Sequence, residues 1–136
     1  MGETTKAFDF SGFGSVDDQN LGHDVNILRL DGAESGMTIR VAGPDSDRRK
    51  QFARQHINAR LKAGKPVEMT AESVEEDGIK ELVAAVISWS FPKGFDGPKC
   101  THENVRKIFE THPYIRRQVA AAADNLVNFT GASRTA

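Results

Sequence analysis

The residues of this chain that could most readily do chemistry stand together in "CTHE", at positions 100–103. Cys100 could act as a nucleophile with His102 as its base, or Cys100, His102 and Glu103 could bind a metal ion. However, Cys100 and His102 lie two residues apart around a helix start and do not face each other well, and no second ligand cluster follows. We therefore expect these residues to belong to the start of a helix, and we predict no enzymatic activity, no catalytic residue, no metal and no cofactor.

Two segments invite comparison with nucleotide or nucleic-acid sites. "GFGSVDD" is similar to a glycine-rich phosphate loop, but no strand pattern precedes it and no helical pattern follows it. Two helices joined by "THP" could form a helix-turn-helix that reads DNA through Arg116, Arg117 and Gln118. The rest of that second helix is alanine-rich, with no further basic residue before Arg134. A small DNA-binding regulator is thus the least favoured alternative, and we predict no nucleic-acid partner.

Composition narrows the class of protein further. One cysteine in 136 residues excludes an internal disulfide, and a net charge of −1 gives no general attraction to nucleic acid or anionic lipid. No segment approaches the roughly 20 apolar residues that cross a bilayer, and the N-terminus lacks the pattern of a signal peptide. We expect a cytoplasmic protein with no membrane partner.

The first part of the chain predicts an arm followed by a β-hairpin. Residues 1–22 are rich in glycine, aspartate and phenylalanine, and we expect a flexible arm that docks locally through its phenylalanines, which are Phe8, Phe10 and Phe13. "HDVNILRL" and "MTIRVAG" follow, joined by the turn "DGAESG". The first run alternates imperfectly, because Leu28 and Leu30 face away from the side that carries Val25 and Ile27. A hairpin alone is marginal in water, so it must pack on another element.

The remainder predicts helices with clear start and stop signals. The expected starts are Asp45 or Ser46, Thr70 or Ser73, Thr101, and Pro113; the expected stops include Gly64, Pro92 and Gly131. The second helix is the most apolar and is expected to run through Trp89, while the last carries a stripe that includes Val119, Leu126 and Phe129. The predicted fold is α+β, mainly α: an N-terminal β-hairpin and a bundle of about four helices in a single domain over residues 23–131, with a tail at 132–136.

The first two of these helices carry opposite charges. The first is strongly basic, and the second begins with acidic residues, where the helix dipole favours negative charge. One interpretation is that the two clusters pair across an antiparallel helix hairpin. The other is that the basic face binds an acidic partner.

The C-terminal half also carries a family resemblance. The pattern "CTHENVRKIFETHPYIRRQVAAAADNLVNF", preceded by a tryptophan and a glycine-bearing loop, resembles the tail assembly chaperones of long-tailed bacteriophages and related prophages. The matching residues are Trp89, Gly97, Thr101, Glu103, Asn104, Pro113, Ile115, Val119, Asn128 and Phe129. "GMTIRVAGPDSDRRKQFARQ" is similar to that family's strand and helix start, so the resemblance covers roughly residues 24–130 and leaves the arm unmatched.

The resemblance implies a non-enzymatic chaperone that binds the tape measure protein and keeps it soluble while the tail tube assembles. It also implies action in the host cytoplasm, absence from the mature virion, and recruitment of the tail tube protein through a longer form. Homo-oligomerisation is left open. The candidate partner-binding residues are Arg48, Arg49 and Arg54 on the basic helix and Trp89, Phe91 and Phe95 around the Pro/Gly loop. The main alternative is a permanent tail or neck adaptor or a tail-completion protein.

Overall fold

The computed structural model describes residues 7–64 and 69–130. Within these ranges a three-stranded antiparallel sheet packs against helices, which confirms the α+β class. The strands are β1 (His23–Leu28), β2 (Glu34–Val41) and β3 (Val86–Ser90). The helices are α1 (Val16–Leu21), α2 (Asp47–Ala63), α3 (Ala71–Ala85), α4 (His102–Thr111) and α5 (Pro113–Ala123), with short 3-10 helices at Phe10–Phe13 and Leu126–Phe129. Helices α2 to α5 are the four that the sequence predicts, and α1 is a fifth, inside the predicted arm.

The sheet contains the predicted hairpin, although β2 begins at Glu34, inside the segment expected to be the turn, and it contains one strand that was not predicted. Strands β1 and β2 pair with Val25 opposite Ile39, as the alternating apolar residues require. Helix α3 was expected to run through Trp89, but it ends at Ala85, and β3 then pairs with β2 so that Trp89 lies opposite Ile39. The helix prediction was wrong there because a short apolar run satisfies both periods, and the open edge of β2 supplied the backbone partners that decided for a strand.

One face of the sheet packs on α3, α4 and α5 to form the core. Ile39, Val41, Phe109 and Val119 have no exposed surface, and Phe129 is almost fully buried. Leu126 was expected in this core but is 57% exposed, because α5 has already ended when the chain reaches it. The core therefore depends on α5 for its Val119 side and on the following 3-10 helix for Phe129.

Helix starts follow the predicted signals. The Ser46 hydroxyl accepts from the Arg49 backbone N–H and caps α2, Thr70 begins α3 in a capping box, and Thr101 caps α4. Helix α2 ends at Gly64, whose φ of 63° is the left-handed conformation that glycine adopts without strain. None of the described helices combines the length and the apolar character needed to cross a bilayer.

Helix α5 ends earlier than predicted. It stops at Ala123, and the Asn125 side chain then accepts from the Val127 backbone N–H to begin the 3-10 helix. An asparagine side chain that bonds the nearby backbone competes with helix propagation, which explains the early stop. The expected stop at Gly131 and the tail at 132–136 lie outside the described residues.

The described part of the predicted arm carries its own short helix. Ser15 caps α1, so a helix begins within "GFGSVDD", contrary to the expectation from sequence. The polar residues of α1 make the contacts to the domain: the Gln19 side chain accepts from the Asp45 backbone N–H at 2.5 Å, and the Asn20 side chain accepts from the Asp47 backbone N–H at 2.8 Å. The three phenylalanines contact one another instead and stay about three-quarters exposed. Residues 1–6 lie outside the described ranges.

Candidate partner-binding site

The loop that follows β3 holds an aromatic series that leads from the core to the surface. The Trp89 and Phe91 rings meet edge-on with centroids 5.6 Å apart, and Phe95 lies 5.3 Å beyond Phe91. Trp89 and Phe91 are half-buried against the core, whereas Phe95 is 61% exposed. The structure thus brings together the three aromatic residues that the sequence singled out, and only the last presents most of its surface to solvent.

Two contacts hold this loop in place. The Trp89 indole N–H donates to the Pro98 carbonyl at 2.9 Å, which ties β3 to the far end of the loop. Gly97 lies so close to the Phe91 ring that a Cβ at this position would overlap it. A glycine is therefore required for the loop to close over Phe91.

An apolar groove of about 540 Å³ opens beside this loop. It lies between the β1–β2 turn, the loop and the junction of α4 with α5, and we call it the apolar groove; its lining is Ile27, Leu28, Arg29, Leu30, Ser35, Met37, Phe91, Pro92, Phe95, Thr111, His112, Pro113, Tyr114 and Ile115. Leu30 is 84% exposed and Leu28 37%. Arg29 is the one lysine, arginine, aspartate or glutamate in this lining. Grouped exposed apolar side chains of this kind are typical of an interaction site.

Hydrogen bonds between distant parts of the chain fix the walls of the apolar groove. The Gln118 amide accepts from the Leu28 N–H at 2.8 Å and donates to the Leu28 carbonyl at 3.0 Å, joining α5 to the end of β1. The Ser35 hydroxyl donates to the Ile27 carbonyl at 2.6 Å across the hairpin. The groove is therefore pre-formed rather than assembled from loose loops.

The three candidate arginines do not share one open face. Arg49 is 92% buried, and its guanidinium donates to the Ala123 carbonyl at 3.0 Å and to carboxylates of Glu81 at 3.2 Å and Asp124 at 3.0 Å. Arg48 donates to the Val86 carbonyl, the first residue of β3. Arg54 is exposed on α2. Arg48 and Arg49 thus hold their own chain together.

The charge clusters of α2 and α3 do pair, as one interpretation of the sequence predicted. Asp77 on α3 binds Arg60 and lies 3.5 Å from His56, both on α2. Glu75 pairs with Arg116 on α5, and Glu76 pairs with Arg106 on α4. The hydrogen bond from Arg106 is the main reason that the pKa of Glu76 is lowered. The acidic end of α3 is therefore bound by three helices.

The segment "CTHE", which carries the potentially reactive side chains, lies apart from the apolar groove, at the start of α4. Partial burial of its sulfur raises the pKa of the Cys100 thiol, and the charge of Arg48 opposes this shift only in part. A raised pKa leaves less of the reactive thiolate at neutral pH. Across residues 7–64 and 69–130, no group of three or more histidine, cysteine, aspartate or glutamate side chains is placed to hold a metal ion.

The helix-turn-helix interpretation meets a structural obstacle. Arg116 pairs with Glu75 at 3.5 Å and is only 22% exposed, and Gln118 is bonded to the Leu28 backbone. Of the three residues that would read DNA, only Arg117 is exposed. This arrangement does not support a DNA-reading role for α5.

Sequence reasoning identified Phe91 and Phe95 but missed the opposite wall of the groove. The missed residues are Leu28, Leu30 and Tyr114. A signal was present, because the two leucines broke the alternation of the first strand run. Their place in a groove becomes apparent only in the tertiary structure, because the α4–α5 junction that completes the groove is distant from them in sequence.

Comparisons with known proteins give no family assignment. No family model, no curated protein and no solved structure matches the chain. The function is therefore inferred from the residues and from the geometry of the apolar groove.

Proposed function

We propose that this protein is a non-enzymatic tail assembly chaperone that binds an apolar, helical segment of a tape measure protein in the apolar groove. The observation that carries this proposal is the groove itself, with Leu30 and Phe95 exposed on its two sides. The resemblance of residues 24–130 to this class of chaperone names the client. Action in the host cytoplasm and absence from the finished virion belong to the same proposal.

The groove has the character that a helical client needs. An amphipathic helix lays its apolar face in a hydrophobic groove through anchors spaced one turn apart. A volume of about 540 Å³ accommodates several side chains, and the lining holds few groups that would demand a polar partner. Binding of a client segment that is insoluble when exposed stabilises its soluble state by mass action, without chemistry. Arg54 and its exposed neighbours on α2 would add charged contacts outside the groove.

The decisive experiment is co-expression of this chain with a candidate tape measure protein from the same genome, followed by size-exclusion chromatography. We expect a soluble complex, and precipitation of the tape measure protein when this chain is omitted. Phe95→Ser should weaken the complex about tenfold, because a phenylalanine that becomes buried on binding contributes about 1–2 kcal/mol. Val127→Ser is the matched control: Val127 is 72% exposed in the last 3-10 helix and is not part of the groove lining, so its loss should leave the complex intact.

A tape measure protein that stays soluble alone and forms no complex would refute the chaperone proposal. In that case the chain should be sought in purified virions, where a permanent adaptor or tail-completion protein would be stoichiometric. A longer, frameshifted form that recruits tail tube protein would appear as a second band in infected cells.

A further inference from the structure

Three phenylalanines near the start of the chain form an exposed aromatic cluster. We call Phe8, Phe10 and Phe13 the Phe knob; their ring centroids lie 5.2, 5.9 and 6.3 Å apart, and each side chain is 73–77% exposed. Asp9 fixes the turn that presents them, because its carboxylate accepts from the Ser11 backbone N–H at 3.0 Å. Three large apolar rings gathered on the surface in a fixed arrangement are typical of a contact with another surface.

The apolar groove has the size and polarity to receive this knob. A closed cavity of about 150 Å³ holds one benzene ring, and the groove measures about 540 Å³. The groove is open to solvent on one side, and its volume leaves room for three phenyl rings. Phe95 and Tyr114 in its lining provide aromatic surfaces for edge-to-face contacts.

Knob and groove lie toward opposite ends of the sheet. The arm joins β1 at its first residue, His23, while Leu28 at the other end of β1 lines the groove, and the five steps between them span about 17 Å. The arm also passes close to the domain where it leaves the knob, since a Cβ at Gly14 would lie 2.9 Å from the Phe129 carbonyl oxygen. In this structure the knob stays exposed and does not fill the groove of its own chain.

Charge favours a second copy as the partner, and the area that it would bury indicates how strong the association is. Residues 7–21 carry Asp9, Asp17 and Asp18 and no lysine or arginine, whereas the charged residue in the groove lining is Arg29. Burying three-quarters of three phenylalanines removes roughly 350–550 Å² on the knob side, so both sides together bury roughly 700–1,100 Å². That lies below the about 1,200 Å² of a stable interface, so the association should be weak, with a Kd of about micromolar or above.

From these observations we propose that the chain self-associates head to tail, the Phe knob of one copy filling the apolar groove of the next. A contact between two different surfaces is heterologous, so it produces a closed ring or an open filament instead of a symmetric dimer. This inference concerns the chain alone and does not require the tape measure protein. If the proposed client also uses the groove, client and knob compete for it.

The test is a complementation experiment by sedimentation velocity. The knob variant carries Phe8→Ser, Phe10→Ser and Phe13→Ser, and the groove variant carries Leu30→Asp and Phe95→Asp. We expect the wild type to grow in size with concentration and each variant alone to stay monomeric. An equimolar mixture of the two variants should form a 1:1 complex and no larger species, because it has one intact knob facing one intact groove.

All substituted side chains are more than 60% exposed, so the variants should fold, which circular dichroism and thermal unfolding would verify. Leu61→Ser, an equally exposed apolar site on α2, should associate like the wild type. Three results would each overturn the proposal: a wild type that stays monomeric up to near-millimolar concentration, a knob variant that associates like the wild type, or a mixture that forms no dimer. The first result would also fit a knob that enters the groove of its own chain.

Discussion

The two ends of strand β1 differ in the side chains that surround them. Toward His23, most polar groups are bound by their own chain: Gln19 and Ser46 are buried and hydrogen-bonded, and the two terminal nitrogens of Arg49 donate to three acceptors, while its buried Nε has none among the described residues. Near Leu28, apolar side chains are left open to solvent in the groove. Burial of a polar group without a hydrogen-bond partner costs free energy. An exposed apolar surface, in contrast, can still gain free energy by being buried against another chain. The first end contributes to stability, and the second is the surface that we propose for binding.

The largest effect on stability is expected at the polar end. Arg49→Ala removes three hydrogen bonds that join α2 to α3 and to the end of α5. We expect the free energy of unfolding to fall by about 2–3 kcal/mol, since the two carboxylates are more than half exposed and regain water. Urea unfolding measures this change. Arg54→Ala, on the exposed face of the same helix, should change the free energy of unfolding by less than about 0.5 kcal/mol. Equal effects of the two substitutions would contradict the prediction that the buried arginine matters more.

The next effect is expected in the loop. Gly97→Ala places a methyl group where the Phe91 ring lies, so the ring must move and the groove wall with it. We expect a cost of about 1–2 kcal/mol in stability, as for other overpacked sites, together with weaker binding in the groove. Gly12→Ala is the control, because a Cβ there meets no atom within 4 Å. Thermal unfolding and the complex assay with the tape measure protein separate the two consequences.

A smaller effect is expected at the groove wall. Gln118→Ala deletes both hydrogen bonds to the Leu28 backbone and should cost about 1 kcal/mol. Hydrogen exchange of the Leu28 amide should accelerate, because its acceptor is lost. The neighbouring Arg117→Ala, at an exposed position, should leave that amide unchanged. Unchanged exchange in Gln118→Ala would mean that the wall does not depend on α5.

The smallest effect is the pH dependence of the polar end. Burial lowers the pKa of His23 below its usual 6.5; Asp24 opposes this shift, and Arg40 adds to it. The unfolded chain then binds more protons than the folded chain just below pH 6.5, so this contribution to stability is present above that pH and is lost as pH falls. His23→Asn should flatten the decline in unfolding free energy between pH 7.5 and about 5.5. The same slope in both proteins would remove His23 as its source.

The comparison also shows where sequence reasoning succeeded. Ser46, Thr70 and Thr101 each cap a helix by bonding a backbone N–H three residues away, so the information is local and was readable. The hairpin was predicted from local alternation in the same way, but its turn was expected to reach Gly36, whereas β2 already begins at Glu34. Of the candidate site, Phe91 and Phe95 were anticipated and lie in the groove, whereas Arg49 had been expected on an open basic face and is buried.

The predictions that were wrong concern features that depend on long-range contacts. Val86–Ser90 carries no local mark that separates a helix end from a strand, and the choice rests on pairing with β2, whose partners lie more than forty residues earlier. Arg49 belongs to the basic stripe by spacing, and only the arrival of Glu81, Ala123 and Asp124 removes it from solvent. The spacing of residues within α2 therefore could not predict that Arg49 is buried.

By itself, the sequence determined where α2 to α5 begin, that a β-hairpin precedes them, and which apolar residues were available for a core. The tertiary structure alone decided that β3 completes a sheet, that one end of β1 closes over buried polar groups, and that the other opens as the apolar groove. The physical reason is the range of the interactions. Caps and turns are satisfied within a few residues, whereas strand pairing, burial of charge and the walls of a groove depend on segments that meet only after the chain has folded.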